Sequence, residues 1–142
     1  MIRREKNQFF DIILHTASIT ANEKNLNDFN TLKKNLQITY NFIEILRSLK
    51  FKKIVNFSSS SVYSNVSGRY NEESEIEPNQ NNDFLYGLSK FFSETLLNSY
   101  FKKQTVLNLR ISQVYGQGLL KKRIIPNMIN SVKNDNKILI YG

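Results

Sequence analysis

Four short apolar runs constrain this chain more than anything else in it: DIILHTA at 11–17, KKIVNFSS at 52–59, TVLNLRI at 105–111 and KILIYG at 137–142. Three of the four are continuous rather than alternating, the pattern of strands covered on both faces. Between the first two, Phe29, Leu32, Leu36, Tyr40, Ile43, Leu46 and Leu49 recur three and four apart. That spacing predicts one amphipathic helix over 28–49, with Asn27 or Asp28 as its N-cap. Tyr86, Phe92, Leu96 and Tyr100 predict a second helix over 84–101, and residues 124–134 a third with Pro126 in its first turn. Strand, helix, strand, long loop, helix, strand, helix, strand is the order of βαβ crossovers, so the fold class is α/β with a parallel sheet. The polar loop over 62–83, with Gly68, Glu72, Glu73 and Pro78, has a length that is often functional.

Composition narrows the chemistry. A chain of 142 residues with 40% apolar content can bury a core as one domain. With no cysteine and a single histidine, disulfides, thiolate metal sites and histidine clusters are excluded, so no metal is expected. No apolar run reaches membrane-span length and the first residues lack a signal-peptide layout, which predicts a cytoplasmic protein with no membrane partner. The net charge of +8 is spread over separate pairs, Arg3-Arg4, Lys33-Lys34, Lys52-Lys53, Lys102-Lys103 and Lys121-Lys122. Most flank predicted elements, where solvated ends account for them, and no nucleic-acid partner is expected.

The second strand ends in FSSSS at 57–61, and Tyr86 and Lys90 follow four apart on the next helix. In an open parallel sheet ligands bind beyond the carboxyl ends of the strands, where these hydroxyls lie. Residues at i and i+4 share a helix face, so Tyr86 and Lys90 can meet one ligand. A phenol is a poor base at neutral pH unless a nearby cation stabilises its anion, and a serine hydroxyl can hydrogen-bond the oxygen that gains or loses the proton. At this tyrosine and lysine content about one Tyr-x-x-x-Lys pair arises by chance. Singly, each residue has an ordinary explanation: a core aromatic, a solvated lysine, a serine turn. Together, in this order and after this strand, they point to carbonyl/alcohol redox chemistry.

DIILHTAS, the Asn35 region NLQITYNFIEIL, KKIVNFSSSSVYS, the Glu72 and Pro78 loop, YGLSKFFSE, VLNLRISQVYG and IIPNMI run in order along the chain. This ordered set resembles the extended short-chain dehydrogenase/reductases, in particular the NAD-dependent epimerase/dehydratase group that acts on nucleotide sugars. The resemblance implies that Tyr86 is the catalytic acid/base, that Lys90 binds the nicotinamide ribose and lowers the tyrosine's pKa, and that Ser59 is the catalytic hydroxyl, with Ser60 its nearest substitute. It also implies that Ala17, Ser18 and Asn35 line the cofactor, as does Ile111, and that Ser59, Ser60 and Gln113 face the substrate. Two departures stand out: Gln113 replaces a common Asn, and Ser64 a usual Gly.

By the same resemblance, residues 1–142 form an incomplete Rossmann-like NAD(P)-binding domain, part of a doubly wound parallel sheet lacking the N-terminal glycine-rich half. Elements of the substrate pocket begin in about 112–142. The five glycines, at 68, 87, 116, 118 and 142, form no phosphate-binding loop, so weak or no NAD(P) binding by the isolated chain is expected. Three readings follow: a fragment of an NAD(P)-dependent nucleotide-sugar epimerase/dehydratase, inactive alone; a non-catalytic remnant or protein-interaction module; and, last, a basic nucleic-acid binder. The resemblance further implies a homodimer through helices 28–49 and 84–101.

Overall fold

The computed structural model describes residues 9–22, 24–112, 114–116, 124–135 and 137. Two compact units divide the chain, Met1–Ser112 and Gln113–Gly142. In the first, β1 (Phe9–His15), β2 (Lys50–Ser59) and β3 (Thr105–Ile111) form one parallel sheet in the order β1-β2-β3. Helix α1 (Phe29–Leu46) joins the first pair, and α2 (Phe84–Tyr100) lies between the second. In the second unit, α3 spans Ile124–Asp135 with Pro126 in its first turn and Lys133 in its last, both favourable placements. The fourth predicted strand falls outside the described residues apart from Lys137. Among the described residues no helix is long and apolar enough to cross a membrane.

Local chemistry sets the helix entries. Of the two N-cap candidates for α1 it is Asp28 that caps, accepting from the N–H groups of Asn30 and Thr31 at 3.1 and 2.9 Å. The Thr31 hydroxyl, which donates to Asp28 Oδ2 at 2.8 Å, holds the carboxyl below the ordinary range, helped by these backbone bonds. Asn27 instead adopts the left-handed conformation, φ 55°, which Asn tolerates better than most residues. Its side-chain amide donates to Asn82 O at 2.7 Å and its Oδ1 accepts from Leu85 N, tying the start of α2 to the start of α1.

The core gathers Ile43 and Leu46 of α1, Phe51 and Ile54 of β2, Leu97 of α2 and Phe101 just after it, with Phe51 and Phe101 edge-to-face at 5.4 Å. Above it lies a polar layer set by strand register, since His15, Asn56 and Asn108 are mutual partners across the sheet. Asn56 Nδ2 donates to Asn108 Oδ1 at 2.9 Å, so its Oδ1 accepts from His15 Nδ1–H at 3.0 Å. His15 stacks on Phe42, ring centroids 4.1 Å apart, and its Nε2 is buried without a partner. Burial pushes this histidine's pKa down, the Asn56 bond partly opposes that, and Lys90 adds to the lowering.

Two expectations need correcting. Coverage of both sheet faces does not hold in this unit: α1 and α2 pack on the face of Ile13, Ile54 and Val106, while Ile12, Leu14 and Leu107 of the other face are about half exposed. Nor is the apolar stripe of α1 buried along its whole length: Ile43 and Leu46 are buried with Asn35 and Thr39, whereas Phe29 and Tyr40 are 73% and 56% exposed. In α2 the polar Ser89, Lys90, Ser93 and Glu94 are buried beside Leu85 and Leu97, and Phe92 and Tyr100 are exposed. Polar groups go inward here because sequence-distant strands meet them with partners.

Candidate active site

The carboxyl end of the sheet brings the serine run and the Tyr-Lys pair together through one close contact. After Ser59, which is in register with Ile111, the chain turns through a short 3-10 segment, Ser60–Val62. Helix α2 passes against that turn at Gly87, where a Cβ would come 2.1 Å from Ser61 O and 2.9 Å from its carbonyl carbon. Only glycine permits this approach, because both obstacles are backbone. The residues between Val62 and Asp83 are stitched down as well: Glu77 N donates to Val62 O, Asn65 N to Gln80 O and Asn81 Nδ2 to Tyr63 O.

Tyr86 and Lys90 sit one turn apart, with Lys90 Nζ 5.6 Å from the centroid of the Tyr86 ring. Lys90 is 7% exposed, and its ammonium donates to Phe57 O of β2 at 2.9 Å. Burial lowers its pKa from 10.5 to about 8. The half-buried Tyr86 phenol moves the other way from the expected lowering. Burial raises it, a hydrogen bond with Ser18 partly opposes, and Asp83 raises it further. In the free chain Tyr86 is therefore a protonated donor.

Ser18 is held beside this phenol by its neighbour. Asn35 of α1, buried, accepts from Ile19 N at 2.8 Å and donates to Ile19 O at 3.0 Å, a two-point clamp on the segment after β1. The same amide nitrogen is 3.4 Å from Ser89 Oγ on α2. Ala17, one residue earlier, is exposed, and Ile111 is half-buried at the end of β3. Ser18, Asn35, Ser59, Tyr86, Lys90 and Ile111 thus belong to neighbouring elements at one end of the sheet, and Gln113 lies outside the described residues.

Ser59 is already engaged. It accepts from Ser61 N–H at 3.1 Å and its hydroxyl bonds Ser61 Oγ at 3.0 Å, while Ser61 Oγ donates to Asp83 Oδ2 at 2.9 Å. The Ser60 hydroxyl makes no hydrogen bond among the described residues. Sequence reasoning missed Ser61 and Asp83, because an Asp before a helix reads as its cap, and it missed the Glu94–Arg110 pair. For Glu94 a signal existed: it stands four residues after Lys90, on the same helix face. Among the described residues no three His, Cys, Asp or Glu side chains form a metal-binding group.

The chain matches the NAD dependent epimerase/dehydratase family over residues 2–142. It is 27% identical over 143 residues to dTDP-D-glucose 4,6-dehydratase of Dictyostelium discoideum, with 93% of this chain and 33% of that protein aligned. Among solved structures, UDP-glucuronic acid 4-epimerase from Bacillus cereus, in complex with UDP-glucuronic acid and NAD, superposes with a TM-score of 0.70 at 25% identity, covering 93% of this chain and 42% of the other. RMD from Pseudomonas aeruginosa, complexed with NADPH, gives 0.71 at 26% identity, covering 86% and 43%. The chain spans about a third of the length of the curated relatives it matches. A match over nearly every residue, on a parallel α/β sheet with Ser59, Tyr86 and Lys90 at its carboxyl end, places it: the chain belongs to the NAD dependent epimerase/dehydratase family.

Proposed function

We propose that this chain carries the catalytic core of an NAD(P)-dependent enzyme that acts on a nucleotide sugar, with Tyr86 as acid/base, Lys90 as ribose ligand and Ser59 at the reacting oxygen. The observation that carries the reading is the buried Lys90 ammonium. It spends one of its three donors on Phe57 O and lies beside the Tyr86 ring, which leaves donors for a ligand hydroxyl pair. A ribose diol fits that donor set. When bound, NAD(P) supplies the hydride acceptor or donor.

Each residue then has a task. Tyr86 gives or takes the proton at the sugar oxygen. Burial and Asp83 oppose its phenolate and the Ser18 hydroxyl favours it, while the Lys90 ammonium 5.6 Å from the ring centroid has the sign that would favour it as well. Asn35 positions Ser18 by clamping Ile19, and Ala17 and Ile111 complete the cofactor wall. Ser60 and Gln113 are assigned to the substrate side. The five glycines of residues 1–142 form no phosphate loop, so this stretch by itself is expected to bind NAD(P) weakly.

The test follows the Lys90 side-chain nitrogen by NMR. Its resonance is expected to titrate near pH 8, well below exposed lysines, and to shift on adding NAD+ while theirs do not. The dissociation constant should be weaker than about 0.1 mM, about −5.5 kcal/mol. A Lys90 signal indifferent to about 10 mM NAD+ removes Lys90 from a cofactor site. A low micromolar constant overturns the expectation of weak binding.

The groove between α1 and α2 favours a second role, as a self-association face. Phe29, Leu32, Leu36, Tyr40, Phe92 and Leu96 line an apolar channel of about 540 Å³ on the side of both helices away from the sheet. A homodimer through these helices would cover the residues that the fold leaves out. Sedimentation equilibrium should give twice 16.6 kDa, and Tyr40→Glu with Phe92→Glu should return the mass to one copy. A wild-type chain that sediments as a monomer disposes of this face as a dimer contact.

A further inference from the structure

Asp83 occupies the N-cap position of α2, yet its carboxylate makes no capping bond to that helix. It accepts instead from Ser61 Oγ, 22 residues away in sequence. Proton counting then fixes the direction of the whole chain of hydroxyls. An ionised carboxylate only accepts, so the single hydroxyl proton of Ser61 points at Asp83. Ser61 Oγ can then only accept from Ser59 Oγ, which commits the single proton of Ser59 to Ser61. One lone pair of Ser59 already takes the Ser61 N–H. Ser59 is left with one lone pair and nothing to donate.

The surroundings hold this arrangement in place. Ser61 cannot draw away from α2 without opening the backbone contact at Gly87, and the first turn of α2 is fastened from the other side by Asn27. Ser59 is 8% exposed, so water is a poor alternative partner for its remaining lone pair.

We propose that Ser59, polarised by the Ser61–Asp83 relay, selects the alcohol rather than the carbonyl form of a nucleotide sugar at the reacting carbon, a proposal that rests on the nucleotide-sugar reading above. An alcohol brings the donor that the free lone pair needs. A carbonyl can still accept from Tyr86, but it sets an acceptor against Ser59 and leaves that lone pair unpaired in a site with little water. The resting site is therefore loaded by the hydroxyl form, and a bound ketone is held there only if the relay reverses. Ser60 has no such bias, since nothing commits its proton, so Asp83 also decides which of the two serines makes the contact.

Affinities of the protein for UDP-glucuronic acid and for UDP-4-deoxy-4-fluoro-glucuronic acid, measured by ligand-observed NMR in excess NAD+, test this. The fluorine can accept but not donate. The wild type should favour the hydroxyl compound by about tenfold or more. Asp83→Asn lets the relay run in either direction and should narrow the preference to within about threefold. Ser61→Ala frees the Ser59 proton and should do the same, which covers the case of an Asp83→Asn chain that does not fold. Equal wild-type affinities, or a preference that survives both substitutions, overturn the proposal and leave the nucleotide-sugar reading standing. Failure of both compounds to bind overturns that reading and the proposal with it.

Discussion

In an intact enzyme that contains this stretch, Tyr86→Phe is expected to lower turnover of a nucleotide sugar by about 10²- to 10⁴-fold, the usual worth of a positioned acid/base, while leaving sugar affinity within about threefold. The substitution removes one oxygen and little else. The ring that packs 5.6 Å from Lys90 Nζ stays, and so does the Phe57 O bond that holds the ammonium. A loss in turnover without a loss in binding therefore isolates the proton-transfer role from packing. The assay is product formation by mass spectrometry in the presence of NAD+, with binding measured separately. Unchanged turnover would show that Tyr86 is not the acid/base and that the chemistry lies elsewhere.

Arg110→Met is expected to destabilise the fold by about 3–5 kcal/mol, because it leaves a buried carboxylate without its cation. Glu94 has a side-chain exposure of 4%, and Arg110 grips it at two points: Nε to Oε1 at 3.2 Å and Nη2 to Oε2 at 3.0 Å. The remaining guanidinium nitrogen donates to Tyr63 Oη at 2.8 Å and to Glu72 O at 3.2 Å, and the guanidinium lies 5.1 Å from the Tyr63 ring centroid. This residue fastens β3, α2 and the start of the long loop to one another. Glu94→Leu combined with Arg110→Met should recover most of the loss, since two apolar side chains leave no stranded charge. Urea unfolding of the two chains measures both. A single substitution costing under about 1 kcal/mol would place the pair among weak surface contacts.

The three described strands and their order were legible because each is written locally, as a short apolar run. β3 covers the predicted 105–111 without adjustment. Which helix face turns inward was legible only in part, through Ile43 and Leu46 of the α1 stripe. An apolar stripe marks a face that avoids water, and Phe29, Tyr40 and Phe92 mark one that the first unit itself does not cover. The inward face carries Ser89, Lys90, Ser93 and Glu94, whose partners Asn35, Phe57, Asn56 and Arg110 come from other elements. Such pairings depend on register, which a one-dimensional reading lacks. The same holds at the site. Ser59, Tyr86 and Lys90 could be named from spacing and resemblance, but the committed proton of Ser59 depends on Asp83 reaching back across 22 residues.

The parallel connectivity of the sheet governs when it can assemble. His15 meets Asn56 only after 41 residues, and Asn56 meets Asn108 after 52 more. Among the described strands no hairpin offers an early local nucleus, so loop closure must precede each of their pairings. On a ribosome β1 would emerge well before β2, and β2 would wait for β3 through the whole of the long loop and α2. Glu94 would be made before Arg110 of β3, the cation that pairs its charge. During synthesis this chain is expected to hold out apolar strands for longer than a hairpin-built protein of its size, which makes it a natural client for chaperones that bind extended apolar segments.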